Sequence, residues 1–568
     1  MSTYEQIEND TRATLDALDA QLEQAHTERA AAVEAAAQWQ AAAEQSAENA
    51  AAAAAALTDV TARLAAAVDS IEELTAERAQ LLARIAALEN PPVAVQPTDG
   101  LWFRLPDQIR DQPRKMFGHY FGPFPRSLDN ADPASDYYAR HYLTSTGESG
   151  KHAAYGAFLR NRPLGRSAIA GDYLLEDCKF DIRAAAAGGY DGFLVDIMGS
   201  TGATMDRYLK LRDAAVALNL PNFFVVPMLD TNGDMAKSYA AGTMTADAVA
   251  ARLAQFAGRS CSWYLDGKFV LSSFKAEGLN ATQWQGVLDA LSRAGVPSVF
   301  LSVELDFGKA ASLAPVTIGE GSWGFGADPA LIRSAGNQVT QSHSRGKAHV
   351  YPLMSQSLRP NGGWWDEALN TEGGRASWDK AIAEGADYVQ KVTWSDYSEG
   401  AEAAPSVACG RAVLDLDAWY ATQWKTGTTP AILRDAAILS HRACPVGAVP
   451  TGPQTRSMRQ WVGSGRPTSG QSKPRDAVEA LVFLTAPATV RITTAGGVVE
   501  HSAPAGQSAW LAPLAVGAPP TVEVVRAGQV VAQVASTVTV EARPRIDNPQ
   551  YFWFASLRGT EGQFNPVA

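Results

Sequence analysis

Apolar residues recur through residues 1–90 with a seven-residue repeat. The segment contains neither Gly nor Pro and consists mainly of Ala, Glu, Leu, Gln and Arg, which are good helix formers. Two apolar positions in every seven, kept in one register, are typical of a coiled coil. All predicted core positions are apolar except Arg29, Ser46 and Arg78. These positions are Leu15, Leu18, Leu22, Ala25, Arg29, Ala32, Ala36, Trp39, Ala43, Ser46, Ala50, Ala53, Leu57, Val60, Leu64, Ala67, Ile71, Leu74, Arg78, Leu81, Ile85 and Leu88.

The register predicts a coiled-coil stalk over residues 1–90. One continuous helix of this length would reach roughly 110–130 Å. A lone amphipathic helix has no physical reason to keep a seven-residue repeat, so we expect the stalk to form an oligomer. The residues at the core positions do not distinguish a dimer from a trimer. A disordered Ala-rich tail is the alternative interpretation.

The hydrophobic pattern changes at Asn90. Residues 91–112 begin with two prolines and predict a linker. Over residues 113–450, short apolar runs alternate with helical segments, which is the pattern of a (β/α)8 TIM barrel. The predicted strands are 116–121, 190–197, 222–228, 268–274, 297–304, 315–319, 347–354 and 388–394. The predicted helices are 174–187, 203–218, 245–257, 281–294, 327–343 and 375–385, with a short piece near 307–313. A doubly wound open sheet is the alternative.

The hydrophobic pattern changes again in the last part of the chain. Residues 411–443 indicate a final helical layer that closes the barrel, and residues 451–474 a basic, turn-rich linker loop. Over residues 475–568, short apolar runs joined by Gly, Pro and Ala turns predict an antiparallel β-sandwich as an accessory domain. We therefore expect a multidomain protein with an N-terminal α-helical coiled coil, a central TIM barrel and a C-terminal β-sandwich.

The net charge of −12 narrows the range of partners. Nucleic acid and anionic membranes are bound through Lys and Arg, so neither is expected as a partner. No run of 18 apolar residues predicts membrane insertion, and the first residues, MSTYEQIEND, predict no signal peptide. The four cysteines have no CxxC spacing and no neighbouring His pair. We therefore expect buried free thiols, no metal and no cofactor.

Carboxylates and aromatic residues follow the predicted barrel strands, where the reacting groups of a TIM barrel lie. No nucleophile elbow accompanies them. Acids beside aromatic rings suit glycosidic bond cleavage, in which one carboxylic acid protonates the leaving oxygen and a carboxylate activates water or attacks carbon. The candidates are His119, Tyr120, Asp191, Asp196, Asp230, Lys275, Glu277, Glu304, Asp306, Trp323, Ser355, Gln356, Trp394, Asp396 and Glu399.

Asp396 and Glu399 stand out among these acids because they share one short loop after the eighth predicted strand. Two like charges in proximity can raise one pKa and create an acid beside a base. The other acids have simpler interpretations. Asp191 can cap a tight turn, and Glu277 and Asp306 can be solvated loop residues.

Three segments carry a family pattern in chain order: KMFGHYFGPFPRSLDN (115–130), DIRAAAAGGYDGFLVDI (181–197) and VTWSDYSEG (392–400). They resemble glycoside hydrolase family 71, the α-1,3-glucanases or mutanases. That family is marked by motifs that read roughly F-A-H-Y/F-x-x-G, A-G-I-D-G-F-x-L-N and W-N-D-Y/F-G-E-S. Further similar segments are SWYLDGKFVLSSF (262–274), LDLDAWYATQWKTG (414–427) and PQYFWFASLRG (549–559). The resemblance extends over about residues 113–560 and leaves out the stalk.

The resemblance implies an inverting glycosidase with Asp396 and Glu399 as its catalytic pair and Asp191 as a supporting acid. We assign Glu399 as the acid and Asp396 as the base, and inversion requires a gap between them wide enough for water. The expected sugar-binding residues are His119, Tyr120, Asp191, Asp196, Asp230, Trp323, Trp394 and Tyr397. The chain departs from the family motifs at four positions, which puts the α-1,3-glucan substrate in doubt. These are Ser395 for Asn, Ser398 for Gly, Gly400 for Ser, and Asp196 where Asn is frequent.

A coiled coil on such a barrel, together with the Ala- and Gly-rich composition of high-GC genomes, resembles a minor tail protein or tail spike of an actinobacterial phage. The resemblance implies a location in the virion at the tail tip, acting extracellularly at the host surface. The implied partners are host cell-surface polysaccharide and other tail-tip proteins bound through the coil, in a homo-oligomer that we expect to be a parallel trimer. A non-catalytic receptor-binding tail protein and a structural spacer are the alternatives.

Overall fold

The computed structural model describes residues 3–45, 50–89, 100–123, 136–199, 202–324, 326–461 and 470–568. The chain divides into two compact units, Met1–Ala94 with Ala217–Asn219, and Val95–Val216 with Leu220–Ala568. Parts of four predictions lie outside the described residues. They are the core position Ser46, residues 91–99 of the linker, residues 124–130 of the first family segment and residues 462–469 of the linker loop.

The N-terminal unit contains two long helices, α1 (Thr3–Gln45) and α2 (Ala50–Glu89). They fold back on each other, because Arg78 Nε of α2 lies 2.5 Å from Asp19 Oδ1 of α1. In one continuous helix these two residues would stand roughly 90 Å apart. The prediction of an uninterrupted helical stalk is therefore wrong. No turn is predicted between the two halves, because the Ala-rich region there has neither Gly nor Pro.

The seven-residue repeat marks the face that the two helices bury against each other. Leu18, Ala25 and Ala32, spaced by seven residues, are buried in α1, and Val60 is buried in α2. All four occupy predicted core positions. An antiparallel helical hairpin thus buries within one chain part of the apolar stripe that the seven-residue repeat assigned to an oligomer.

The strands of the second unit include a closed parallel barrel. In chain order, its first eleven strands are β1 (Lys115–Tyr120), β2 (Gly192–Ile197), β3 (Phe224–Asp230), β4 (Tyr264–Leu265), β5 (Lys268–Phe274), β6 (Ser298–Leu301), β7 (Gly319–Gly321), β8 (Ala348–Leu353), β9 (Leu358–Arg359), β10 (Trp364–Trp365) and β11 (Tyr388–Lys391). Strands β1, β2, β3, β5, β6, β7, β8 and β11 pair in parallel in this order, and β11 pairs with β1. This closure confirms the predicted barrel and excludes the open sheet.

Helices separate the barrel strands in the expected alternation. They are α3 (Tyr137–His141), α4 (Tyr173–Ala187), α5 (Gly202–Leu218), α6 (Asp234–Ala240), α7 (Ala246–Leu253), α8 (Ala281–Arg293), α9 (Ala310–Leu313), α10 (Pro329–Ser334), α11 (Gln338–Ser344), α12 (Glu372–Glu384) and α13 (Ala412–Thr426). The connection between β6 and β7 is short, as predicted. The predicted helix 327–343 is divided into α10 and α11. A new helix starts at α11 because the Asn337 side chain caps it by accepting a hydrogen bond from Thr340 N.

A core of apolar side chains fills the barrel interior. Its buried members are Phe117, Leu194, Val226, Met228, Trp263, Val270, Leu301 and Val303. Successive side chains of a strand point to opposite faces. The inward series therefore continues from Phe117 to His119 and from Leu194 to Asp196, toward the carboxyl ends of the strands. There the lining of the barrel changes from apolar to polar.

The C-terminal strands form two four-stranded antiparallel sheets. The remaining strands are β12 (Ala436–Arg442), β13 (Arg459–Gln460), β14 (Ala477–Leu484), β15 (Ala488–Thr494), β16 (Gly497–Ala503), β17 (Gly506–Pro513), β18 (Thr521–Arg526), β19 (Gln529–Ala535) and β20 (Tyr551–Ala555). The first sheet has the order β17-β14-β12-β20 and the second β16-β15-β18-β19. That the two sheets form a sandwich stays a prediction.

Strand β12 corrects the expectation of a helical layer over residues 411–443. Only α13 is helical, and residues 436–442 pair with β14 and β20. Every residue of β12 is buried, so the strand lacks the polar alternation by which a half-exposed strand is recognised. The first sheet consequently begins upstream of the predicted linker loop.

Polar contacts tie this sheet to the loop that follows β8. Arg442 Nη2 donates to Glu367 Oε2 at 2.8 Å, and the Arg442 guanidinium lies 4.1 Å from the ring centre of Tyr551. Gln356 exchanges two hydrogen bonds with the Tyr551 backbone, at 3.0 and 2.7 Å. Both Arg442 and Glu367 are buried, so the loop is held by charge-assisted bonds away from water.

Candidate active site

The polar end of the barrel interior brings His119, Asp196 and Asp230 together. His119 Nε2 lies 3.6 Å from Asp196 Oδ2, and all three side chains are buried. The Trp323 ring meets the His119 imidazole edge-on, with centroids 4.7 Å apart. Four of the predicted sugar-binding residues therefore stand at the carboxyl ends of the strands, where TIM barrels carry their active sites.

Asp230 is the final residue of β3, and its carboxyl group resists ionisation. Burial raises the pKa of Asp230 to about 7, and the neighbouring charge of Asp196 acts in the same direction. Asn232 N donates to Asp230 Oδ1 at 2.7 Å and partly opposes this shift. Asp230 can thus hold a proton near neutral pH.

Asp396 is fixed by its own loop after β11. Its amide donates to Thr393 Oγ1 at 2.8 Å, and Ser398 donates to Asp396 Oδ1 from its amide at 2.9 Å and from its hydroxyl at 2.6 Å. Burial raises the pKa of Asp396, while the bonds from Ser398 and the charge of Arg359 oppose the shift. Ser398, which stands where the family motif has glycine, therefore forms hydrogen bonds directly with the candidate Asp396.

Glu399 is held from the loop that follows β8. Its carbonyl oxygen accepts a hydrogen bond from Leu358 N at 2.7 Å, and Arg359 Nη2 donates to Glu399 Oε2 at 2.7 Å. The side chain is 17% exposed. Burial raises the pKa of Glu399 to about 7 against the cation of Arg359, and the charge of Asp396 adds to the rise. The charge of Asp396 thus acts on the ionisation of Glu399 within their shared loop.

Glu402 is a third acid of this loop, which the sequence reasoning missed. It is buried, and Asn161 and Gln550 both donate to its Oε1. Burial raises the pKa of Glu402 to about 8. Among the described residues, its Oε2 has no hydrogen-bond partner. The sequence feature that could have identified Glu402 is its position three residues after Glu399.

Three predicted sugar-binding residues take part in packing. Tyr120 lies on the outer face of β1 and donates to Asp181 Oδ2 of α4 at 3.1 Å. Trp394 is fully buried, with its ring 5.0 Å from that of Phe193. Tyr397 is buried in an apolar cluster that includes Tyr138, Tyr142 and Leu159. Their side chains are enclosed by protein, which differs from the predicted contact with sugar.

Asp191 lies at the opposite end of the barrel from these acids. It directly precedes β2, accepts a hydrogen bond from Met116 N at 2.5 Å and forms a buried ion pair with Lys425 Nζ at 2.6 Å. Lys425 extends from α13. The pair joins this helix to the amino-terminal end of the barrel, so the structure gives Asp191 a structural role in place of the implied catalytic one.

The other rim candidates bind neighbouring segments of the protein. Glu277 accepts hydrogen bonds from the amides of Leu305 and Asp306, and Asp306 accepts one from Gly308 N. Lys275 donates to Asn232 Oδ1 at 2.9 Å. Ser355 and Gln356 bond to Lys391 and Tyr551, and Glu304 is buried. The four cysteines are buried.

Acid–base chemistry is what this arrangement can perform. Several buried carboxyl groups with raised pKa values meet at the carboxyl end of a closed parallel barrel, so proton donors and proton acceptors coexist near neutral pH. Within the described ranges, no group of three His, Cys, Asp or Glu residues has the geometry to hold a metal ion. No described helix is long and apolar enough to cross a membrane. Fold and site together define the glycoside hydrolase class of barrel.

The chain belongs to Glycosyl hydrolase family 71, whose sequence profile matches residues 167–555. This confirms the family resemblance, although the segment 115–130 lies outside the matched residues. The ascus wall endo-1,3-alpha-glucanase of Schizosaccharomyces pombe is 25% identical over 251 residues. The match covers 41% of this chain and 55% of the relative, so the chain spans about half the length of that relative.

Two solved glycosidase structures are similar to this chain at low identity. The GH99 endo-alpha-mannosidase from Bacteroides thetaiotaomicron is 13% identical with a TM-score of 0.41, covering 55% of this chain and 97% of the mannosidase. A modular endo-beta-1,4-mannanase from Cellulomonas fimi is 12% identical with a TM-score of 0.28, covering 62% of this chain and 86% of the mannanase.

Proposed function

We propose that this chain hydrolyses α-1,3-glucan and that Asp396 and Glu399 are its general base and general acid. One observation carries the proposal: both carboxyl groups belong to one loop at the mouth of a family 71 barrel, and burial raises the pKa of each. The name of the similar ascus wall enzyme supports α-1,3-glucan as the substrate.

The surroundings of the two acids support this assignment of roles. Glu399, with a pKa of about 7, is available as a proton donor near neutral pH. Asp396 accepts two hydrogen bonds from Ser398, which favour its ionised form. Glu399 would protonate the leaving glycosidic oxygen while Asp396 removes a proton from the attacking water. An inverting reaction requires roughly 6.5–9.5 Å between the two carboxyl groups.

The barrel interior supplies the wall of the proposed sugar site. His119, Asp196 and Asp230 line it with polar groups, and Trp323 adds an aromatic face. A few polar groups that fix orientation beside an aromatic surface are typical of ligand sites. We assign sugar binding to these four residues.

Measurement of reducing ends tests the proposal. Wild-type protein is incubated with α-1,3-glucan, other α-glucans and actinobacterial wall polysaccharide. We expect Asp396→Asn and Glu399→Gln each to lower turnover of the cleaved glycan by about 10²–10⁴-fold. Asp247→Asn is the matched control, because this carboxyl group forms an exposed ion pair on α7. Full activity in either loop variant contradicts the acid/base assignment, and no cleavage by the wild type contradicts the function.

We further propose that the protein works at a phage tail tip, as a homo-oligomer that is attached through α1 and α2 to other tail proteins. Large apolar side chains on the outside of these helices support association, because exposed apolar patches mark interaction sites. They include Ile7, Val33, Trp39, Leu57 and Leu82. Host cell-surface polysaccharide would be the substrate, met extracellularly.

A receptor-binding protein without catalysis is the second candidate. Arg359 favours it, because an ion pair with Glu399 can hold an acid in a purely binding role. Wild-type protein that binds wall polysaccharide in a pull-down but releases no reducing ends would establish this function. Both candidates predict that Trp323→Ala loses glycan binding.

A further inference from the structure

The N-terminal hairpin of α1 and α2 buries one column of residues and leaves the neighbouring column open. Leu18, Ala25 and Ala32 of α1 and Val60 of α2 are buried, and all four hold the same position of the seven-residue repeat. The residues that come three positions earlier in the repeat are half-buried or exposed. They are Leu15, Leu22, Ala36, Leu57, Leu64 and Ile71. The hairpin therefore uses only part of its apolar stripe.

Further apolar residues widen the open column into a flank. A residue four positions further along a helix lies about 40° around the helix axis, here on the side away from the buried column. Val33, Val68 and Leu82 hold this position, and Val33 is 49% and Leu82 40% exposed. Because α1 and α2 are antiparallel, the same repeat positions of both helices lie on one side of the hairpin. We call this side the apolar flank and define it by Leu22, Val33, Leu57, Leu64, Ile71 and Leu82.

The opposite flank of the hairpin is polar. Gln21 and Glu28 of α1 and Arg63 and Ser70 of α2 are exposed there, and they line a groove of about 420 Å³. Such groups keep their hydration, whereas exposed Leu, Ile and Val side chains gain free energy when they leave water. Within the described part of the chain, the apolar flank is therefore the side of the hairpin that other protein atoms leave uncovered.

The charges at the apolar flank suit a second copy of the chain. Arg78 belongs to the open column, and its Nε lies 2.5 Å from Asp19 Oδ1, so this cation is neutralised within the hairpin. Arg29 belongs to the same column and is exposed. Glu23 of α1 and Glu72 of α2 are exposed at the rim of the flank. A facing copy therefore offers carboxylates to Arg29.

The apolar flank is large enough for a stable dimer. From Leu15 to Ala36 it extends roughly 32 Å along α1. Two helices side by side give it a width of roughly 20 Å, and hence an area of roughly 640 Å² on each copy. Two copies would bury roughly 1,300 Å², and specific, stable interfaces bury about 1,200–2,000 Å² in total.

We propose that the apolar flank binds the same flank of a second copy, so that two hairpins form a four-helix bundle. A surface that is apolar over most of its length is complementary to itself under a two-fold rotation. All four helices then have antiparallel neighbours, as in an up-down-up-down bundle. The proposal rests on the proposed homo-oligomer, and it names the interface and the number of chains. Two chains take the place of the expected trimer.

Sedimentation equilibrium of the full chain tests the bundle. We expect the wild type at micromolar concentration to have about twice the single-chain mass of 60.3 kDa. In Val33→Glu/Leu82→Glu, two carboxylates enter the interface without a counter-charge, so the dissociation constant of the dimer should rise at least about tenfold. Both side chains are exposed in the hairpin, so circular dichroism should show unchanged helix content.

Gln21→Glu/Ser70→Glu is the matched control. It adds the same two charges to α1 and α2 but on the polar flank, and it should remain a dimer. Equal dissociation of the two variants overturns the proposal. A Val33→Glu/Leu82→Glu protein that stays as tightly dimeric as the wild type does so as well.

Photo-crosslinking of the full chain locates the interface. Benzoylphenylalanine in place of Val68, on the apolar side, should yield a two-chain product on illumination, and in place of Ser70, on the polar flank, it should not. The reverse result overturns the bundle. A wild-type trimer overturns the bundle but keeps the proposed homo-oligomer, whereas a monomer contradicts both. Hydrolysis of glucan is measured separately, so failure of the catalytic proposal leaves these outcomes unaffected.

Discussion

At the scale of single residues, Arg359 is the group through which the ionisation of Glu399 can be adjusted. Burial raises the pKa of Glu399 to about 7, and the Arg359 cation is the main influence against that rise. We predict that Arg359→Gln raises this pKa further. Since a general acid must be protonated, the alkaline limb of kcat/KM against pH should move to higher pH.

The pH profile also tests the assignment of roles. Because Arg359 acts on Glu399 by charge and by hydrogen bond but on Asp396 by charge alone, a larger shift of the acidic limb than of the alkaline limb in Arg359→Gln would mean that Glu399 is the base and Asp396 the acid. Arg333→Gln is the control, because Arg333 forms an exposed ion pair with Glu372 outside the catalytic loops. Its profile should coincide with that of the wild type.

Glu402 yields a prediction about stability. Burial raises its pKa from 4.5 to about 8. Between these values the folded chain holds a proton that the unfolded chain has lost, so the contribution of Glu402 to stability falls as pH rises. We predict that Glu402→Gln matches the wild type in free energy of unfolding below pH 4.5. Above pH 8 it should be more stable by at least about 1 kcal/mol. Urea unfolding at both pH values is the measurement, and equal stabilities throughout would contradict it.

At the scale of elements, the start of α8 is set by a capping box. Asn280 Oδ1 accepts from Gln283 N at 2.9 Å, and the Gln283 side chain accepts from Asn280 N at 3.0 Å. Removal of such a cap costs about 1 kcal/mol. We predict that Asn280→Ala lowers the free energy of unfolding by this amount in chemical denaturation and leaves kcat unchanged. Gln283→Ala, which keeps the Asn280 bond, should cost less.

The elements also show which structural features sequence patterns can predict. The strand over residues 268–274 was predicted with the bounds of β5, because its apolar run is flanked by turn residues. Strand β12 was read as helix, since complete burial removes alternation. That Asp396 and Glu399 share one loop follows from their short spacing after the eighth predicted strand. That Tyr120 and Trp394 face the helices depends on strand register and on loop geometry, which motifs do not encode.

At the scale of the whole molecule, the N-terminal helices lead to a prediction about assembly. We expect the full chain to sediment as an oligomer at micromolar concentration, because the hairpin of α1 and α2 leaves Val33, Trp39 and Leu57 exposed. A chain that begins at residue 100 should sediment as a monomer. The substitutions Val33→Ser and Trp39→Ser should weaken the assembly, and a monomeric full chain would contradict the prediction.

The bonds between the first C-terminal sheet and the loop after β8 have a consequence for protein engineering. Gln356, Glu367 and Trp365 all depend on partners beyond residue 440. We therefore expect a barrel that is excised without this sheet to lose these contacts of the loop after β8. A chain that ends at residue 450 would lose the partners of Gln356 and Trp365 in the loop after β8. Transfer of the catalytic barrel to another protein therefore requires transfer of the sheet as well.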